Sequence, residues 1–380
     1  MPSIRLMLLW HMHQPYYKDL AEDRYAMPWV RLHALKDYYG MVALLKDFPS
    51  VHVTFNMAPS LVSQLLDYAR GAAREESYEL AFRPATELRL EEKEKLINYA
   101  FQLNQENLLA RYPRMVELFE KTGSHGGNLN GQHIASVQAI LDLQVLSQLA
   151  WFDEIYLTGD PEIRRLVEKQ RDFTEDDKKL IQAKESGLLK EILEEYRQAA
   201  ARGQIEISTS PFYHPILPLL CDTNIGAESC PGLRLPRRRF QHPEDAHDQL
   251  RAAISLHEEV FGQRPRGLWP SEGSVSEEAL QLAASEGFEW AASGEGVLGR
   301  SLKTYFHRDE TGAVEGGQQL YQPYSFEAGN RSIALFFRDH VLSDLIGFVY
   351  QRMEPHASAH DLMHKIRRAA SKAGDRPVVL

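Results

Sequence analysis

RGLWPSEGSVSEEAL runs from Arg266 to Leu280, and EWAAS follows at Glu289–Ser293. Gly267–Trp269 is a short apolar run. Cap signals come next: Ser274 lies three residues before Glu277, a capping-box pattern, and Ser276 ahead of Glu277 and Glu278 is an alternative start. Either way these two glutamates fall in a first helical turn, where the helix dipole favours acids. A second apolar run then begins at Glu289. Strand, capped helix and strand in succession form the building unit of a parallel sheet. Glu272 belongs to neither element. It sits between strand and helix, three residues after Trp269.

The same alternation extends outward. IRLMLLW (Ile4–Trp10), VHVTFN (Val51–Asn56), QIEIST (Gln204–Thr209) and IALFFR (Ile333–Arg338) read as strands, as does the closing RPVVL (Arg376–Leu380). Apolar spacing of three and four marks helices in 91–113, in 135–152 and over Lys178–Ala201. The expected class is α/β, with a parallel sheet either open or closed into a barrel. In such folds the chemistry sits past the C-terminal ends of the strands. PVVL stops where a core strand begins, so the chain is expected to be a fragment of a longer protein.

The 380 residues, 43% of them hydrophobic, suffice for a large core. A formal net charge of -10 argues against a general nucleic-acid surface, and LPRRRF (Leu235–Phe240) reads as a short solvated basic run. Two cysteines exclude a disulfide framework and fit a reducing compartment. No stretch approaches the roughly 20 apolar residues of a membrane span, and the start is too short for a secretory signal. The expected location is the cytoplasm. Oligomeric state is not legible.

Polar clusters follow the apolar runs. After the first come His11, His13 and Gln14. His-x-His can bind a sugar hydroxyl, serve as a pair of satisfied interior histidines, or ligate zinc with His214 and Asp339 as further ligands. Glu206 interrupts an apolar strand and needs a partner or a purpose; a buried salt bridge is one reading. Phe212, Tyr213 and His214 follow that strand. After IALFFR come Arg338, Asp339 and His340. Ser343 or Asp344 is expected to start the next helix, which explains Asp344 as a cap and leaves Asp339 over, either paired with Arg338 or functional. Glu272 and Asp339 thus stand at two strand ends, and paired carboxylates are the equipment of glycoside hydrolysis.

Together these stretches resemble glycoside hydrolase family 57, which contains α-amylases, amylopullulanases, 4-α-glucanotransferases and branching enzymes. HMHQP (His11–Pro15), GQIEISTSPFYHPIL (Gly203–Leu217), GLWPSEGSVS (Gly267–Ser276) and FFRDHVLSDLIGF (Phe336–Phe348) are similar to four of its five ordered regions. The last two are worded most like the amylase and amylopullulanase branch. The resemblance implies an incomplete (β/α)7 barrel over 1–380, with a helical insertion at about 85–200 and a following helical domain cut off. It implies a retaining enzyme acting on α-glucans, with Glu272 as nucleophile and Asp339 as acid/base. His13, Glu206 and Trp269 would hold the sugar, joined by His11, His214 and His340. No metal or other cofactor is implied, and the partner is an α-glucan or oligosaccharide. Transfer or branching within the family remains the nearest alternative. A metal-dependent polysaccharide deacetylase is a more distant one.

Overall fold

The structure is a computed structural model and describes residues 4–122, 136–373 and 378–379. The chain divides into two compact units, one of residues 1–15, 52–60 and 205–380, the other of residues 16–51 and 61–204.

In chain order the described strands are β1 (Ile4–Arg5), β2 (Leu9–Met12), β3 (Lys18–Asp19), β4 (Arg24–Tyr25), β5 (Val53–Met57), β6 (Ile205–Ser208), β7 (Gly267–Leu268), β8 (Trp290–Gly294), β9 (Tyr324–Ala328), β10 (Arg331–Arg338) and β11 (Val378–Val379). All but the small β3–β4 hairpin belong to the first unit. There β2, β5 and β6 pair in parallel, as do β7, β8 and β10, and β11 pairs in parallel with β1. Among the described residues one bridge, Thr209 to Leu268, joins the two larger sheets. With β1 and β2 counted as one interrupted strand, seven parallel strands follow one another from β11 to β10. Antiparallel β9 lies beyond β10, and among the described residues nothing pairs β9 with β11. This is an incomplete (β/α)7 barrel. Of the closing RPVVL, Val378 and Val379 form β11, while Arg376, Pro377 and Leu380 lie outside the described residues.

The two faces of this sheet divide by alternation. Leu268, Ala291, Ile333 and Leu335 pack with Leu250, Ile254 and Leu280 of the helices Pro243–Phe261 and Glu277–Ser285. The opposite, inner face carries Gly267 in register with Trp290, and Trp290 with Ala334. On the first strands it carries His11 in register with Asn56, and Asn56 with Ser208.

The second unit is helical. Its central helix, Val137–Leu149, is buried from Ala139 onward, because apolar residues fill every face instead of one stripe. The long helix Glu175–Ala201 begins with a Thr174–Asp177 capping box. Buried Arg31 makes a two-pronged contact with Glu75 (2.8 and 3.1 Å) and reaches Glu185 at 3.2 Å. Trp29–His33 and Tyr39–Ala43 are helical as well. Among the described residues no helix is long and apolar enough to cross a membrane.

Candidate active site

The C-terminal ends of β2, β6 and β7, with β5 between the first two, bring five of the expected site residues together. His11 lies in β2 and His13 just past it. His214 lies in the loop after β6. Trp269 and Glu272 follow β7. The loops are tied to one another: Ser60 N–H donates to Phe212 O at 3.0 Å, and Ser60 Oγ donates to Gln14 O at 2.9 Å. Gln249, in the helix Pro243–Phe261, receives Tyr213 N–H on its side chain at 2.8 Å.

The rings form a stack. His13 and His214 lie 3.9 Å apart at 20°, His11 and His214 5.1 Å apart, and Trp269 flanks His11 at 5.6 Å. Nitrogens of His11, His13 and His214 come within 4.8 Å of one another. Crowding keeps these imidazoles neutral. Burial, and then the neighbouring His13 and His11, push the His214 pKa down to about 3. Burial pushes His11 down to about 4, against its hydrogen bond to Asn56. His11 presents an exposed edge, but its ring is closely flanked. For His13, burial outweighs the attraction of Glu272 and lowers the value. His11 Nδ1 is 2.6 Å from Asn56 Oδ1, which also receives Ser210 Oγ–H at 3.0 Å.

Glu272 stands in a left-handed backbone (φ 56°, ψ 21°), as does His214 (φ 59°). Such geometry costs a non-glycine residue roughly 1–2 kcal/mol and survives only when its surroundings hold it. Here Ser293 Oγ donates to Gly273 O at 2.5 Å, fixing the turn on β8. The Glu272 side chain remains 72% exposed, with Oε1 3.9 Å from Nδ1 of His214, whose own side chain is 5% exposed. Ser276 caps the helix Glu277–Ser285, accepting from Ala279 N–H at 3.2 Å. Of the two starts, Ser276 is the one used, and Glu272 stays outside the cap.

Asp339 lies in a second, buried cluster on the same edge. Arg308 bridges it (3.1 Å) to Glu295, and Tyr321 O–H donates to it at 2.8 Å. His340 Nδ1 is 2.6 Å from Glu295. Two expectations are corrected here. The helix starts at His340, so Asp339 is itself the N-cap, accepting from Leu342 N–H at 3.0 Å, while Asp344 ends that helix. Arg338 reaches Asp344 at 3.4 Å, while Asp339, past the end of β10, pairs with Arg308. A third correction concerns Glu206. Its partner is not a cation but the Trp290 indole, whose Nε1 donates at 2.7 Å. Glu206 sits on the inner face two residues below the Asn56–Ser208 layer, apart from the histidine stack.

The sequence model of glycosyl hydrolase family 57 matches residues 7–380. The chain belongs to glycosyl hydrolase family 57. No curated protein matches it. Among solved structures it is similar to an α-amylase from Thermotoga maritima (14% identity, TM-score 0.46), covering 91% of this chain and 47% of that one. It is similar to a branching enzyme from Pyrococcus horikoshii at 15% identity and TM-score 0.43, with coverages of 90% and 48%. It is also similar to a 4-α-glucanotransferase from Thermococcus litoralis at 14% identity and TM-score 0.45, with coverages of 100% and 33%. The chain thus spans about half the length of the first two and a third of the last.

Four residues that the motifs did not single out contact the candidate site: Asn56, against His11, and Glu295, Arg308 and Tyr321 around Asp339. Asn56 ends an apolar strand, a signal open to sequence reading. Glu295 follows EWAASG in the same way. Arg308 and Tyr321 come from a stretch without periodicity and carry no such signal.

Proposed function

We propose that this chain is the catalytic domain of a retaining enzyme acting on α-glucans. Glu272 is the nucleophile and Asp339 the acid/base. The observation that carries the reading is the Glu272 turn. A carboxylate is held exposed, in a strained backbone, beside a stack of neutral imidazoles and an indole, in a chain of a glycosyl hydrolase family. Neutral imidazoles donate and accept hydrogen bonds to sugar hydroxyls, and the indole offers a flat face to ring C–H groups.

In the reaction the Glu272 carboxylate attacks the anomeric carbon while Asp339 gives a proton to the departing glycosidic oxygen. A covalent glycosyl-enzyme forms. Asp339 then takes a proton from water, or from an acceptor hydroxyl, as that oxygen attacks the same carbon and releases Glu272. Retention calls for carboxyl groups about 5–5.5 Å apart in the working enzyme. β7 and β10 flank β8, so their backbones stand about 10 Å apart, and the two side chains must converge over the end of β8. Gly294 ends that strand with open space at its Cβ position.

The test is to incubate the purified protein with amylose, pullulan and maltooligosaccharides and to follow the products. New reducing ends without longer products identify a hydrolase. Longer chains identify a transferase, and new α-1,6 links a branching enzyme. In Glu272→Ala, a rate below about one thousandth of wild type, with partial rescue by azide to give an inverted glycosyl azide, is expected. Near-wild-type turnover in that variant overturns the assignment.

A further inference from the structure

The imidazoles beside Glu272 have a second chemistry open to them. We propose that His11, His13 and His214 form a binding site for a zinc-class divalent cation, and that the bound cation keeps a sugar ring from settling beside Glu272. The exclusion rests on the glucan reading above; the binding does not.

Three imidazoles with an open fourth position make one of the known zinc-binding sets. Their nitrogens already lie within 4.8 Å of one another. Tetrahedral zinc with Zn–N near 2.1 Å needs about 3.4 Å between ligand nitrogens, so the nitrogens must close by up to about 1.4 Å.

The hydrogen bonds around the stack favour a metal independently. Asn56 Nδ2 donates to Ser208 Oγ at 3.3 Å, and Asn56 Oδ1 receives Ser210 Oγ–H at 3.0 Å. With Oδ1 placed against His11 Nδ1 at 2.6 Å, the amide oxygen can only accept, so His11 Nδ1 carries the proton between them. That leaves the Nε2 lone pair of His11 free, the arrangement in which outer-shell partners commonly hold a ligating histidine. His214 Nε2 is buried and has no hydrogen-bond partner among the described residues. An orphaned buried nitrogen costs about 1–3 kcal/mol, and a metal–nitrogen bond removes that cost. Glu272, 3.9 Å from His214, stands at the margin of the set. Three neutral nitrogen donors suit zinc, copper or nickel and not magnesium or calcium.

The test is to titrate tag-free purified protein with zinc chloride by calorimetry and with cobalt chloride by visible absorption. About one equivalent of zinc should bind, magnesium should not, and cobalt should show the intense bands of a four- or five-coordinate site. His214→Ala and His13→Gln should each weaken zinc at least tenfold, with circular dichroism reporting their fold. His13→Gln serves if His214→Ala does not fold. No zinc binding below millimolar, or unchanged affinity in a folded variant, overturns the site. Maltotriose should raise the apparent zinc Kd in proportion to its concentration. Zinc that binds at these histidines without competing overturns the exclusion and the sugar seat, and leaves the metal site standing. Sugar binding without zinc binding does the reverse.

Discussion

Trp290 reaches across a strand to Glu206. The indole of β8 donates to the carboxylate of β6 at 2.7 Å, passing over Gly267 of the intervening β7. A Cβ on Gly267 would lie 2.0 Å from the Trp290 ring, so glycine is required for this contact. Gly267→Ala is expected to cost about 3 kcal/mol, by displacing the ring and orphaning both partners. Glu206→Gln keeps an acceptor for the indole and is expected to stay within about 1 kcal/mol of wild type. Urea unfolding followed by tryptophan fluorescence checks both. An equally stable Gly267→Ala would contradict the packing.

Gly294 lies between the turn of Glu272 and the end of β10, with ordinary backbone angles (φ −98°, ψ 152°) and nothing within 4 Å of its Cβ position. Gly294→Leu should therefore fold with a stability change under about 1 kcal/mol. Its side chain would enter the gap where the two carboxylates must converge. The expected outcome is at least a hundredfold loss of kcat/KM on maltooligosaccharides with unchanged circular dichroism. Retained activity would place the sugar elsewhere.

Because Asp339 also caps a helix, the choice of variant matters. Asn is as good a cap as Asp, so Asp339→Asn keeps the cap while removing the charge that faces Arg308, whereas Asp339→Ala loses about 1 kcal/mol more in stability. The Asn variant is expected to lose a factor of about 100–10,000 in rate on maltooligosaccharides. The loss should be much smaller on α-maltosyl fluoride, whose leaving group needs little help from a proton. Equal losses on both substrates would remove Asp339 from the acid role.

In the helical unit, burial pushes the Glu185 pKa from 4.5 up to about 7, against the pull of Arg31 and with the push of Glu75. A raised carboxyl stabilises the fold fully below its unfolded value, and that contribution is lost as pH climbs through the folded value. Glu185→Gln does not titrate. Its stability relative to wild type should rise by up to about 3 kcal/mol between pH 4.5 and 7.5. Thermal or urea unfolding at a series of pH values reads this difference. A pH-independent difference would show that Glu185 does not change its charge in this range.

The parallel strands were legible because each is a short apolar run closed by polar residues; their alternation with helices left the sheet open or closed, and the family resemblance supplied the incomplete barrel, while antiparallel β9 was not read. Glu272 stood out because Ser276 accounts for the acids after it. Asp339 was misjudged as to its cap. Its helix runs only from His340 to Asp344 before passing into a π turn, too short for apolar spacing to mark a start. The partner of Glu206 could not be read, because Trp290 lies 84 residues away and is brought near only by the sheet. Arg308 and Tyr321 were hidden for the same reason. Their pairing with Asp339 is set by tertiary structure, and nothing in their neighbours announces it.

The bridge between Thr209 and Leu268 has a consequence for assembly. Two hydrogen bonds, Thr209 N–H to Gly267 O and Trp269 N–H to Thr209 O (3.1 and 2.8 Å), are the backbone seam between the sheet that carries the histidines and the sheet that carries the carboxylates. Each slab can form its own pairs first, yet neither alone sets the stack of His11, His13 and His214 beside Glu272. On the proposed assignment, activity depends on the closed seam. During refolding, turnover should return only after both slabs have regained their ordered strands, making activity a reporter of the last joint to close.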